Sequence, residues 1–370
     1  MFLLYVKNIR LINFRNYNNL FLDLNKNINI FIGKNAQGKT NLLEAIFMCA
    51  AGKSFRTSRD REIINLNKTQ AYVGAEINIG ETEKFIEIKL EIDKPKRIRI
   101  NKRELKSQKE LYSGLNIVIF SPDDLKLIKG GPQERRNFLD IEISQIKPVY
   151  NYNLNRYNKI LYQRNNLLKL NKAQQNLEEL LEIFDLQLAK IGTDIILERK
   201  RYIDELSGIV NAVHKNLTSD NEDLKLYYNT NVEIIEDKHE MEKKYRENIK
   251  KHIKKDIELG STQVGPHRDD VLISINNKDL KVYGSQGQQR TAVLALKLSE
   301  VELIKKQKGH FPVLLLDDVF SELDMERKKY LIKSIKNMQT IITTTDSIDI
   351  KEMEDLDKSI YYVENGQITK

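Results

Sequence analysis

The chain has 370 residues, room for two domains or for one large head with an insertion, and its 31% charged and 40% hydrophobic composition is that of a globular protein with sizeable cores. With 61 Lys and Arg against 53 Asp and Glu, the net charge of +8 favours a polyanionic partner, although a Lys-rich proteome yields the same excess. The lone Cys49 excludes an intrachain disulfide and a Cys-rich zinc site; with no membrane-length apolar run and no secretion-signal pattern, a cytosolic protein without a membrane partner is expected.

In chain order, residues 4–11 and 20–24 are predicted strands, joined by the polar turn Asn13-Phe14-Arg15-Asn16-Tyr17. Arg15 and Asn16 are candidates for the base or phosphate side of a nucleotide site, or for a plain surface loop. The strand Ile28-Asn29-Ile30-Phe31-Ile32 then meets Gly33-Lys34-Asn35-Ala36-Gln37-Gly38-Lys39-Thr40, and a helical run over residues 41–47 follows. Strand, glycine-bounded loop ending in Gly-Lys-Thr, and helix make a P-loop. Its glycines let the backbone wrap phosphate oxygens, and N–H groups at the helix start meet the negative charge. Lys39 is expected on the β- and γ-phosphates and the Thr40 hydroxyl on Mg²⁺.

The loop over residues 52–61 is basic and hydroxyl-rich, suited to phosphates, to a nucleic-acid backbone, or to solvent. Residues 71–79, 84–92 and 97–105 alternate apolar and polar side chains, predicting an antiparallel lobe attached to the nucleotide sheet. Residues 116–120 read as a return strand ending at Ser121-Pro122-Asp123-Asp124. After the boundary Gly130-Gly131-Pro132, the pattern is helical to about residue 214, with a heptad-like seam through Tyr150, Leu154, Tyr157, Leu161 and Leu168, then Leu177 to Val213. Two long helices are expected, the second about 55 Å long at 1.5 Å per residue. Arg156, Arg164, Lys190, Arg199, Lys200 and Arg201 flank that stripe and are expected mostly on solvated faces. The charged helical run over residues 238–259 is basic, with Glu240, Glu242, Glu247 and Asp256 expected to offset it by i,i+4 pairing.

Residues 270–275 and 280–283 around Asn276-Asn277 predict a hairpin. Gly284-Ser285-Gln286-Gly287-Gln288-Gln289-Arg290 follows and opens a helix, a second phosphate-binding candidate. The apolar strand Val313-Leu314-Leu315-Leu316 ends in Asp317-Asp318. Asp317 is placed to hold the hydration shell of Mg²⁺, and Asp318 to orient or deprotonate an attacking water. Ser321-Glu322-Leu323-Asp324 opens the next helix, and residues 340–346 form a further buried strand whose end, at Asp346, points to the same site.

P-loop, late Ser-Gln-Gly-Gln signature, paired acids and Glu-Leu-Asp together resemble an ABC-type ATPase head. Asn13–Tyr17, Phe120-Ser121-Pro122-Asp123-Asp124-Leu125, Gly265-Pro266-His267-Arg268-Asp269-Asp270, Ser285–Arg290 and Leu316–Asp324 are similar to the bacterial RecF family across essentially the whole chain. The resemblance implies an α/β ABC-type head with an antiparallel β lobe and a mostly helical second domain, a short coiled-coil-like arm related to SMC and double-strand-break repair ATPases. The expected boundaries are 1–129, 130–258 and 259–370. It further implies ATP as cofactor and two protomers sandwiching two ATP molecules. Ser285 and Gly287, with Gln286 and Gln288, would face the γ-phosphate held by the other protomer's Lys39, and Asp324 would sit across that interface. Asp318 stands where such heads carry Glu, and Thr344 or Thr345 where many carry a histidine switch; both imply slow, switch-like hydrolysis. His267 is expected to pack.

By the same resemblance the function is ATP-dependent clamping of gapped or single-strand/double-strand junction DNA at the nucleoid, with RecR and RecO, to load recombinase. An SMC-like chromosome-organising ATPase is the alternative, although the insertion is short for it. A transporter ATPase subunit ranks below both.

Overall fold

The computed structural model describes residues 3–105, 110–111, 114–170, 176–219, 221–345 and 356–370. From the N-terminus, β1 (Leu4–Phe14) turns back as β2 (Tyr17–Asp23), and β3 (Ile28–Ile32) leads into helix α1 (Lys39–Ala51). A meander follows: β4 (Gln70–Ile79), β5 (Thr82–Glu91), β6 (Lys94–Ile100) and the short β7 (Arg103–Glu104). After β8 (Ile117–Phe120) come helices α2 (Lys126–Lys129), α3 (Pro132–Ile146), α4 (Pro148–Leu170) and α5 (Leu177–Thr218). Strand β9 (Leu224–Asn229), helices α6 (Lys238–Lys251) and α7 (Ile253–Leu259), strands β10 (Asp270–Ile275) and β11 (Lys278–Asp279), and helix α8 (Leu280–Tyr283) continue the chain. It closes with α9 (Gln286–Lys308), β12 (Val313–Asp317), α10 (Met325–Ser334), β13 (Thr340–Thr344), β14 (Lys358–Glu364) and β15 (Gln367–Thr369).

These elements fall into two compact units: residues 1–125, 212–221 and 290–370 in the first, and residues 126–211 and 222–289 in the second. The first unit holds two six-stranded sheets. One is antiparallel, in the order β2-β1-β4-β5-β6-β7; the other runs β15-β14-β3-β13-β12-β8 and is parallel except for β15. Strands β3, β12 and β13 are buried at every residue, Asn29, Asp317 and the three threonines of β13 included, as expected of strands covered on both faces. In the antiparallel sheet burial tends to alternate instead, as along Ile86, Ile88 and Leu90 of β5.

The second unit packs its helices beside a three-stranded sheet, β11-β10-β9. Three helices stand where two were expected, because Pro148 starts α4 immediately after Lys147 ends α3. Helix α5 has 42 residues, about 63 Å at 1.5 Å per residue. The expected boundary at 258/259 is corrected: residues 259–289 belong to the second unit. There β10 pairs with β9 along its whole length, and Arg135 of α3 grips Asp270 with Nε and NH2 at 2.6 and 2.9 Å. The expected hairpin also shortens. Asn276 and Asn277 make the turn with positive φ, but only Lys278–Asp279 pair with β10, and Asp279 then caps α8 by accepting from Lys281 N at 2.8 Å.

Two of the arginines expected in solvent are buried instead. Arg164 donates to Asp185 at 2.6 Å, Asp256 at 2.7 Å and Thr262 Oγ1 at 2.8 Å, and is fully covered. Arg199 donates to the Tyr150 hydroxyl at 2.8 Å, the Pro266 carbonyl at 2.6 Å and Asp140 at 2.8 Å. Charges of the run over 238–259 also pair away from their own helix: Arg246 and Lys250 with Glu182, Lys238 with Asp194, Asp256 with Arg164. Truncating one member of a buried pair strands the others, so Arg164→Ala is expected to cost about 3–5 kcal/mol. Urea unfolding of the whole chain measures it; a loss below 1 kcal/mol is the contrary result.

Candidate nucleotide site

The loop 33–38 is shaped by backbone demands that only small or glycine residues meet. Gly33 N donates to Thr344 O at 3.2 Å, and a Cβ on Gly33 would lie 2.4 Å from the Val363 carbonyl. Gly38 sits at φ 120, and a Cβ there would meet Asn16 at 2.6 Å. Gly38 is the N-cap of α1 and offers no side-chain cap, and the first turn holds no acid, so the positive helix end is left for an anion. Lys39 Nζ donates to the Gly33 carbonyl and, at 2.9 Å, to that of Lys34. A phosphate would have to compete with those carbonyl oxygens for the ammonium. Burial lowers the Lys39 pKa, opposed by the charges of Asp318 and Asp317.

Asp317 meets the P-loop directly. Thr40 Oγ1 donates to its two carboxylate oxygens at 2.9 and 3.0 Å, and Thr343 Oγ1 donates to Oδ1 at 2.7 Å. Asp318 lies at φ 53, with its N–H donated to the Thr343 carbonyl and hydroxyl, each at 3.1 Å. Left-handed backbone is tolerated by Asp and Asn far better than by longer side chains, which gives Asp rather than Glu a backbone reason at this position. Thr343, unassigned from sequence, thus braces both acids; its register opposite Asp317 in the parallel ladder is what brings it there. Among the described residues no cluster of three His, Cys, Asp or Glu is ready to hold a metal. The oxygen donors Thr40 and Asp317 nevertheless fit Mg²⁺, which takes few protein ligands and completes its shell with phosphate and water.

The turn before β2 is built around the loop. Asn16 Nδ2 donates to the Gln37 carbonyl at 2.8 Å, Asn16 Oδ1 accepts from Asn41 at 2.8 Å, and Tyr17 OH donates to the Gly38 carbonyl at 3.0 Å. Arg15 is committed elsewhere: Nε and NH2 donate to Glu44 at 2.9 and 2.6 Å and NH1 to the Glu62 carbonyl at 2.6 Å. Glu44 is wholly buried on α1, also accepts from Ser54, and lies 3.5 Å from Arg56. Sequence reading overlooked it, since an acid inside a helical pattern carries no sign of the arginines it will gather. Arg15, Asn16, Asn41, Arg56, Arg61 and Lys68 share one groove beside the loop.

Ser285 and Gln288 cap α9 reciprocally: Ser285 N donates to Gln288 Oε1 at 2.8 Å and Gln288 N to Ser285 Oγ at 3.2 Å. Gln288 Nε2 donates to Glu222 at 2.8 Å, while Ser285, Gln286 and Gly287 are exposed. These four residues belong to the second unit and the P-loop to the first. Asp324 caps α10, accepting from Arg327 N at 3.0 Å and from its guanidinium. Thr344 is buried at the end of β13 and Thr345 is exposed; Asp346 lies outside the described residues. His267 packs as expected: Nδ1 is 2.8 Å from Tyr157 OH, Nε2 2.9 Å from the Thr262 carbonyl, and burial lowers its pKa to about 4.

A strand, P-loop and helix joined through Thr40 to an acid-ended parallel strand, with an antiparallel lobe in the same unit, define a P-loop ATPase head of the ABC type. Among the described residues no helix is long and apolar enough to cross a membrane. The family described as RecF/RecN/SMC N terminal domain matches residues 5–369, and the chain belongs to it. It is 46% identical over 365 residues to the DNA replication and repair protein RecF of Alkaliphilus oremlandii, covering 98% of this chain and 99% of that one. To RecF of Clostridium novyi it is 47% identical over 367 residues, covering 99% and 100%. A solved structure of RecF with ATP, described as the recombination mediator protein of the RecFOR pathway, superposes with a TM-score of 0.93 at 39% identity, covering 100% of this chain and 98% of that one. The Smc head domain of Pyrococcus furiosus matches with a TM-score of 0.55 at 19% identity, a likeness of fold alone.

Proposed function

We propose that this chain is a DNA-repair ATPase in which ATP closes two copies over DNA and slow hydrolysis reopens them. The contact that carries the reading is Thr40 on Asp317, which sets the P-loop and the acid-ended strand as one site, while Ser285 to Gly287 stay exposed. Residues Gly33 to Gly38 wrap the phosphates, with Lys34, Asn35, Ala36 and Gln37 supplying backbone N–H groups, and Lys39 trades its carbonyl partners for phosphate oxygens. Thr40 and Asp317 would hold Mg²⁺, whose charge screens the phosphates. Asn16 shapes the loop from behind. Arg15 acts through Glu44 on the helix that follows.

In hydrolysis a water oxygen bonds to the γ-phosphorus as the bond to the β,γ-bridging oxygen breaks, leaving ADP and phosphate; Asp318 orients the water and takes its proton. Positioning and electrostatics carry most of the catalysis. Ser285 and Gly287 of a second copy complete the γ-phosphate shell, and Asp324 lies across that junction. The net charge of +8 suits DNA, with gapped or junction DNA, RecR and RecO, and a cytoplasmic, nucleoid-associated setting following from kinship with RecF. An SMC-like structural role is the weaker reading, since the helical unit has no tract longer than the 42 residues of α5 among its described residues.

DNA affinity, measured with ATP across a salt series, is expected to fall with a log–log slope near −0.9 per phosphate neutralised on duplex. A flat response, or equal affinity without ATP, contradicts the clamp.

A further inference from the structure

Lys297 of α9 is buried at 4% exposure, with Nζ 3.4 Å from Asp124 Oδ1 and 3.1 Å from Glu300 Oε2. Glu300 is one turn along the same helix. Asp124 comes from the loop after β8, where its other oxygen accepts from Ser121 N at 2.7 Å and closes the turn. That turn begins at Phe120, which pairs in the sheet with Leu316, the residue before Asp317. One ion cluster therefore ties the strand edge bearing Asp317 and Asp318 to the helix that starts at the signature.

Its place in the chain matters too. The chain first leaves the first unit after Leu125, returns to it for residues 212–221 and re-enters it for the last time at Arg290, so Asp124 and Lys297 stand just inside the first exit and the last re-entry. Arg290 itself lies 3.9 Å from Glu322, and Phe120, Pro122, Val293, Val319 and Leu323 line a small cavity beside them. Stability is a poor explanation for such a cluster. Replacing a buried ionic group by packed apolar residues is often neutral or stabilising, because the desolvation cost is large.

We propose that Lys297 is a positioning residue for ATP-driven association: with Asp124 it fixes the bearing of the signature helix on the Asp317 edge. Lys297 acts through Asp124 and α9. This inference rests on the ATP-sandwich reading above.

The test uses the full chain and three variants: Lys297→Met, Asp124→Asn, which keeps an acceptor for Ser121 N, and the double variant. ATP affinity of the single copy is measured by titration on protein too dilute to associate, and association with saturating ATP and Mg²⁺ by sedimentation at higher concentration. Each single variant should bind ATP within about threefold of wild type yet associate about tenfold or more weakly, and the double should be no worse than either, as for residues acting as one unit. If Lys297→Met fails to fold, Asp124→Asn alone gives both readouts. Association equal to wild type overturns the inference, as does a loss of ATP affinity in step with association. A wild-type chain that never associates with ATP overturns the sandwich reading as well, so the two failures are distinguishable.

Discussion

Lys39→Ala is expected to weaken ATP binding about 100-fold, about 2.7 kcal/mol, and to abolish ATP-driven association. Lys39 is 7% exposed, and its ammonium is held inside the loop by the Gly33 and Lys34 carbonyls, within the segment expected to wrap the phosphates. Alanine removes a charge-assisted contact and the brace across the loop at once. It leaves β3, α1 and the Thr40–Asp317 contact in place, so the fold should survive. Isothermal titration with ATP measures the affinity. A variant that still binds and associates as wild type does would remove Lys39 from the phosphate site.

Asp318→Asn should leave ATP affinity within a few-fold of wild type and lower turnover about 100- to 1,000-fold, the scale of a lost general base. The substitution isolates charge from geometry. Asn tolerates the left-handed backbone at φ 53 as Asp does, and the N–H bonds to Thr343 do not involve the carboxylate. With binding intact and hydrolysis blocked, the associated ATP state should accumulate and outlive that of wild type. Single-turnover phosphate release measures the step; undiminished release would take Asp318 out of the catalytic role.

The nucleotide loop could be read in the sequence because its backbone requirements are written locally: a Cβ at Gly33 or Gly38 would collide, and no other residue type relieves that. The buried parallel strands were equally legible, since β3, β12 and β13 have no exposed face. Contacts made by register between distant strands were not. Thr343 reaches Asp317 only because β13 lies beside β12, and Glu44 gathers Arg15 and Arg56 from loops on either side of α1 in sequence. Helical periodicity names the apolar stripe but does not say whether its flanks are covered, which is how Arg164 and Arg199 passed for solvated residues. The four residues of α8 alternate like a strand, and the Asp279 cap and the Gly284 N–H on the Leu280 carbonyl make them a helical turn.

In the proposed clamp, binding ATP and joining a second copy are one event. Light scattering on the full chain, with and without ATP and Mg²⁺ and with and without gapped duplex, tests it most directly. The mass should double only with ATP, more completely on gapped DNA, and not at all for Lys39→Ala. A mass that stays single at saturating ATP, or doubles equally without it, would contradict the claim.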